Sequence, residues 1–211
     1  MIPKIIWQTH EWNYEELPDI YKKTSSTWQL LNPGWKYNYL NSEQRRDMVK
    51  ELAPSLLDLY DWYKVNIGEH AGLLECDLWR VVCLHEYGGV YADLDSICLG
   101  SLDGMLDLYS NKDLVISSNF TTKCASDLLE DAALGIPYNF QVNSGAGFAA
   151  KKDSTLLKLM IDAMEKKIKF PLKDDNLWGI FNYICMNADI DIISFDFRWS
   201  HHASVFNHRN L

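Results

Sequence analysis

Paired cysteines, long apolar runs and clustered basic residues are all missing from this sequence. Its five cysteines (Cys76, Cys83, Cys98, Cys124 and Cys185) are odd in number and scattered, which excludes a disulfide framework and the short paired spacings of structural zinc. A reducing compartment, the cytoplasm, suits such a chain. No apolar run reaches the roughly 20 residues of a membrane span, and the opening Ile2-Pro3-Lys4-Ile5-Ile6 breaks off at Trp7-Gln8-Thr9-His10, too short for a signal-peptide core. These residues are expected to hold no membrane span, and any attachment they make to a membrane is expected to be peripheral. Lysine and arginine cluster no further than Lys22-Lys23, Arg45-Arg46 and Lys166-Lys167, and the formal charge is −9. With a pI near 5.1 the chain has no electrostatic footprint for nucleic acid, so a cation is expected between it and any anionic ligand. There is no internal repeat and no low-complexity linker. With 211 residues and 47% apolar content, the chain reads as one domain over residues 1–211.

The pattern along the chain is that of an α/β domain. Ile2 to Thr9 is a short β-branched run that predicts a buried first strand with its carboxyl end near a ligand. After Pro18, the residues Ile20, Thr24, Trp28 and Leu31 recur at helical spacing until Asn32-Pro33-Gly34 stops them. Trp35 to Leu40 reads as a second strand. Asn41 or Ser42 can cap a helix to about Leu52, and Pro54 opens another with Leu57, Tyr60 and Tyr63 inward. A longer helix is predicted from about Glu69 to Tyr87, ended by Gly88-Gly89, where glycine tolerates a left-handed exit. Val90 to Asp95 then resumes as a strand. Further on, Asp113 to Ser117 reads as a strand and Asn143 to Gly147 as a turn before Phe148-Ala149-Ala150. Asp153-Ser154-Thr155 can start a helix with Leu156, Leu159, Met160 and Met164 inward, and Asp174-Asp175-Asn176 another, ending near Met186. Ile190 to Ser194 reads as a last strand, and Phe195 to Leu211 as a loop folding back.

Chemistry concentrates around the run Tyr91-Ala92-Asp93-Leu94-Asp95. If the strand continues through it, Tyr91, Asp93 and Asp95 share one face and Val90, Ala92 and Leu94 the other. Two neighbouring carboxylates repel, and one is driven toward protonation unless a hard divalent cation accepts their oxygens. Magnesium or manganese is typically held by one or two carboxylates plus substrate phosphates, and there offsets the charge of a departing diphosphate. The plain alternative is a solvated turn after an edge strand. Upstream, Asp77 and Arg80 lie three apart on one face of an otherwise apolar helix. They can form a structural ion pair, or reach sugar hydroxyls and phosphate, Asp77 as acceptor and Arg80 as cationic fork.

Cys76-Asp77-Leu78-Trp79-Arg80, then Leu84 and Tyr87-Gly88-Gly89-Val90-Tyr91-Ala92-Asp93-Leu94-Asp95, with the opening Ile2-Pro3-Lys4-Ile5-Ile6-Trp7-Gln8, closely resemble glycosyltransferase family thirty-two. That family holds mannosyl-, galactosyl- and capsular-sugar transferases and is distantly related to the glucosyltransferase domains of large bacterial toxins. The match is strong over residues 76–99, supportive over 2–40 and weak afterwards. It implies a GT-A nucleotide-diphospho-sugar fold with a mixed central sheet, retention of anomeric configuration, and Mn2+ or Mg2+. It also implies a UDP- or GDP-hexose donor and a glycan or lipid-linked acceptor. Carried over by position, Trp7 resembles the residue that stacks on the nucleobase, with Gln8, Asn41 and Tyr91 near the nucleotide. Asp77 and Arg80 resemble the pair at the sugar; Asp93 and Asp95 resemble the metal and ribose aspartates, Asp95 foremost for the metal. A polar turn at Asn143-Ser144 and a late histidine, His201 or His202 with Ser204, complete the expected site, His202 as the third metal ligand.

Two other readings compete. Asp93-Leu94-Asp95-Ser96-Ile97 also imitates the nucleophile strand of haloacid-dehalogenase-type phosphatases, in which the first carboxylate attacks phosphorus. That reading leaves Trp7, Asp77 and Arg80 unexplained. The other is a sugar-nucleotide-binding relative without turnover, which an intact Asp-x-Asp and Arg80 weigh against.

Overall fold

The computed structural model describes residues 1–66, 71–117, 147–166, 193–196 and 200–202. Among these, six strands form one mixed sheet in the order β2-β1-β3-β6-β5-β7. Its members are β1 (Ile5–Thr9), β2 (Lys36–Leu40), β3 (Gly89–Ala92), β5 (Leu114–Ser117), β6 (Gly147–Ala150) and β7 (Ile193–Asp196). Strands β2, β1 and β3 run parallel, with Trp7 opposite both Asn38 and Tyr91. Strand β6 runs antiparallel to β3 and β5 on either side, and β7 is again parallel to β5. The carboxyl ends of β1, β2 and β3 therefore share one edge of the sheet, the place where open α/β sheets form ligand crevices. A separate pair, β4 (Ser96–Cys98) with β8 (Ser200–His202), lies just beyond β3.

The sheet is covered on both faces, and its side chains obey the alternation of an extended strand. Trp7, Tyr91, Leu114 and Phe148 point into the core shared with α2 (Ser42–Leu52), α3 (Leu57–Asn66), α4 (Ala71–Tyr87) and α6 (Thr155–Glu165). Ile6, Val90, Ala92, Val115 and Ala149 point into a second core, with Trp28 of α1 (Asp19–Leu31) and Leu102 and Leu106 of α5 (Leu102–Leu106).

The expected elements through residue 117 are present with small shifts. Asn41 caps α2: its side chain accepts from the Gln44 amide at 2.8 Å, and Gln44 Oε1 returns a bond to the Asn41 amide at 2.9 Å. Gly88 and Gly89 have φ of +67° and +105°. A Cβ on Gly89 would sit 2.5 Å from the Ile5 carbonyl, so the crossing from α4 into β3 needs glycine sterically as well as conformationally.

Several expectations are corrected. Strand β3 stops at Ala92, and Asp93 to Ser96 is a turn closed by the Ser96 amide donating to the Asp93 carbonyl at 3.1 Å. Asp95 therefore does not share a strand face with Tyr91 and Asp93. In α1 the buried residues are Thr24, Ser25 and Trp28 while Leu31 is exposed; in α6, Leu157 is buried and Leu159 exposed. The tail expected as a loop contains the end of β7 and all of β8. Residues 69–70, the Asn143–Ser144 turn, the helix expected over 174–186 and Ser204 lie outside the described residues.

Candidate functional site

The Asp93–Ser96 turn stands at the shared carboxyl edge of β1 and β3, and its backbone is gripped from below. The Asp93 carbonyl accepts from Gln8 Nε2 at 3.1 Å and from Ser96 Oγ at 2.6 Å. The Leu94 carbonyl accepts from Thr24 Oγ1 at 2.6 Å and the Ser96 carbonyl from Trp28 Nε1 at 3.0 Å. Of these donors, Gln8, Thr24 and Trp28 come from β1 and α1, 68 to 85 residues earlier in the chain. Buried backbone carbonyls need partners, and here side chains supply what a continued sheet would have given.

The carboxylates are held from the other face, by α4. Arg80 forms an ion pair with Asp77, and its Nη1 lies 3.6 Å from Asp93 Oδ1. Its guanidinium carbon sits 4.8 Å from the centre of the Tyr91 ring and 5.9 Å from that of Phe148. Tyr91 donates its hydroxyl to Asp93 Oδ1 at 2.6 Å, with Cys76 Sγ 3.3 Å from the tyrosine's own oxygen. Burial, reinforced by the Asp93 carboxylate, pushes the Tyr91 hydroxyl far above its ordinary value, so it stays protonated and acts as the donor. Asp77 and Arg80 are only 7% and 6% exposed, whereas the Asp93 side chain is 26% exposed and Asp95 half-buried. The charges thus grade from a buried pair to two carboxylates that reach the surface.

Beside Asp95 an aromatic rim opens. The negative charge of Asp95, after burial, raises the Tyr21 hydroxyl. The Tyr21 ring lies 5.4 Å from His10, and His10 lies 5.0 Å from Trp12, which is 49% exposed. This rim was not legible in the sequence because nothing in its spacing sets it apart from a polar loop; the residues after β1 and the first turn of α1 come together only in the fold.

The residues expected at the site divide sharply. Asp77, Arg80, Tyr91 and Asp93 are brought into contact, with Asp95 two residues on in the same turn. Trp7 is 6% exposed, its Nε1 donates to the Gly88 carbonyl at 3.0 Å, and its ring packs 5.6 Å from Tyr87. Mid-strand residues pointing into a covered face are core residues, and Trp7 is one. Gln8 is wholly buried and engages the Asp93 backbone instead of a ligand. Tyr91 likewise donates its hydroxyl to Asp93. Asn41 is committed to the helix cap and to Asn13, which its Nδ2 contacts at 2.7 Å. The strand register sets His202 opposite Ser96, one residue from Asp95; Asn143 and Ser144 lie outside the described residues. Among the described residues no three His, Cys, Asp or Glu side chains form a closed metal cluster. Two surface-reaching carboxylates on an open turn nevertheless fit a hard cation that takes its remaining oxygens from a ligand.

Residues 18–115 match the family model described as "Glycosyltransferase sugar-binding region containing DXD motif", which takes in α1, Asp77, Arg80, Asp93 and Asp95. The match takes in 98 of the 211 residues, just under half of the chain. Over 106 residues, 50% of this chain and 26% of the relative, the sequence is 38% identical to mannosyl phosphorylinositol ceramide synthase SUR1 of Saccharomyces cerevisiae. Over 105 residues, 50% of the chain and 27% of the relative, it is 36% identical to inositol phosphoceramide mannosyltransferase 3 of Schizosaccharomyces pombe. The chain thus spans about a quarter of the length of these yeast proteins. Mouse xyloside xylosyltransferase 1 in its apo form superposes with a TM-score of 0.52 at 10% identity, covering 90% of this chain and 83% of that one. The fold is the GT-A fold. Within the matched region, the Asp-x-Asp residues are the first and third of the tethered turn.

Proposed function

We propose that this chain is a divalent-metal-dependent glycosyltransferase that moves a hexose from a UDP- or GDP-sugar to a hydroxyl of a glycan or lipid-linked acceptor. The observation that carries the reading is the pair Asp93 and Asp95 on a rigid turn at the carboxyl edge of parallel strands, with the Asp77–Arg80 pair behind it. Asp93, Asp95 and, by its register opposite Ser96, His202 would hold Mn2+ or Mg2+. When bound, such a cation offsets the charge that develops on the departing nucleoside diphosphate. Asp77 and Arg80 border the donor sugar, Arg80 adding fixed positive charge near the reacting centre in a poorly solvated place where charge acts strongly. Tyr91 holds Asp93 to one orientation. The rim of His10, Trp12 and Tyr21 offers the flat faces that a nucleobase needs, in place of Trp7. The yeast relatives' names favour mannose as the sugar and an inositol phosphoceramide-like headgroup as the acceptor, which would bring the chain to a membrane surface. Among the described residues no helix is long and apolar enough to cross one. Retention of configuration belongs to the reading through the family resemblance. The phosphatase alternative loses its support, because the region that contains Asp93 and Asp95 matches a glycosyltransferase family.

The test is donor turnover. GDP-mannose and UDP-hexoses are incubated with Mn2+ or Mg2+ and a hydroxyl acceptor, and the released nucleotide and the anomeric configuration of the product are followed by NMR. The expected result is metal-dependent release from one donor with retention, lost by at least a hundredfold in Asp95→Asn. Release that is independent of metal, or undiminished in Asp95→Asn, would contradict it.

A further inference from the structure

Helix α1 carries a polar stripe at helical spacing that runs along the DXD turn and the segment after it. Thr24 donates to the Leu94 carbonyl at 2.6 Å and Trp28 to the Ser96 carbonyl at 3.0 Å. Thr27 Oγ1 accepts from the Cys98 amide at 2.9 Å, and Asn32 Oδ1, just past the helix end, accepts from the Leu102 amide at 2.7 Å. Positions 24, 27, 28 and 32 fall on one side of a helix, and their partners, Leu94, Cys98, Ser96 and Leu102, all lie in the stretch from 94 to 102. Strand β1 adds Gln8, whose amide orientation is fixed by its surroundings. The Tyr37 hydroxyl donates to Gln8 Oε1 at 2.8 Å, and Gln8 Nε2 donates to the Asp93 carbonyl at 3.1 Å. The Asp93 carbonyl can only accept, so a flipped Gln8 amide would set its oxygen against that carbonyl and lose the tether.

We infer that Gln8, Thr24 and Trp28 are positioning residues for Asp93 and Asp95. They fix the turn's backbone so that the two carboxylates are presented together and α1 moves with the turn as one body. The inference rests on the function proposed above only in what the aspartates are presented to. Three features favour a positioning role over ordinary core packing. The stripe buries hydroxyl and amide groups where apolar side chains would fill the space at lower cost, each polar group has a partner in the turn segment, and the carbonyls of Asp93 and Leu94 that Gln8 and Thr24 hold lie outside any strand.

The experiment compares Gln8→Met and Thr24→Val, which keep size and remove the donor, with Thr24→Ser, which restores it, and with Leu157→Ala, a core truncation in α6. Amide hydrogen exchange is measured across the chain, and Mn2+ affinity in the presence of UDP or GDP is measured by electron paramagnetic resonance. The inference expects exchange at residues 93–98 to accelerate at least tenfold in Gln8→Met and Thr24→Val beyond any global change. It further expects Mn2+ affinity to fall at least threefold and Thr24→Ser to recover both. Leu157→Ala should lower the melting temperature without singling out the turn. Turn exchange that rises no more in Gln8→Met and Thr24→Val than in Leu157→Ala overturns the inference. A wild type that binds no Mn2+ with either nucleotide would count against the proposed function, while the exchange result alone decides the tethering.

Discussion

The two faces of the sheet hold the same turn by different chemistry. On the α1 face, neutral donors seize the carbonyls of Asp93, Leu94 and Ser96. On the α4 face, an ion pair, a cation over two rings and a protonated tyrosine seize the Asp93 carboxylate. Neutral hydrogen bonds fix where the backbone goes and are indifferent to pH. Charged contacts set the orientation and proton affinity of the side chain and respond to any change in its partners. A site that must present two like charges gains from this division, because the geometry does not have to be held by the groups whose charge is in use.

The comparison breaks first, and with the largest effect, at the buried pair. Arg80→Met leaves Asp77 buried without its cation and is expected to destabilise the fold by about 3–5 kcal/mol in chemical denaturation. Adding Asp77→Asn to Arg80→Met should recover a substantial part of that loss, since the stranded charge goes with it. If the double variant is as unstable as Arg80→Met alone, the pair is not electrostatically coupled in the way the geometry indicates.

A smaller effect sharpens the contrast in pH response. Glu75 is buried in α4, and burial, against the partial relief of Arg45, raises its carboxyl above the ordinary value of 4.5. A carboxyl whose folded value is raised contributes stability fully below its unfolded value and loses it as pH rises through the folded one. Glu75→Gln is therefore expected to raise the melting temperature at pH 7, with the gain shrinking toward zero near pH 4. A gain of equal size at both pH values would assign it to packing instead of charge.

Much of this was legible in the sequence, and the boundary is physical. The Gly88-Gly89 exit, the Asn41 cap and the alternation of Val90, Tyr91 and Ala92 are local, so local patterns reported them. The grouping of Asp77, Arg80, Tyr91 and Asp93 was legible as well, through helical spacing and the family resemblance together. The packing of Trp7 against Tyr87 and the Gly88 carbonyl was not, because an aromatic residue near the end of a first strand looks alike in sequence whatever its ring meets. The polar stripe of α1 was half visible. Thr24 and Trp28 stood on the expected inner face, but Thr27 and Asn32 were overlooked because a search for apolar periodicity discards hydroxyls and amides. Reading the strand on through Asp95 failed for a related reason. Alternation alone cannot show that side chains from β1 and α1 replace the ladder and let the chain turn at Asp93.

The most direct test of the central claim, that the tethered Asp93–Asp95 turn holds a cation against a nucleoside diphosphate, is a thermal-shift titration. UDP and GDP are each added with and without Mn2+ to wild type and Asp95→Asn. At a hundredfold excess over its dissociation constant, a bound ligand stabilises the folded state by about 2.7 kcal/mol. The account predicts a Mn2+-dependent rise in melting temperature with one of the two nucleotides, absent in Asp95→Asn. A rise of equal size without Mn2+, or one that survives in Asp95→Asn, would contradict it.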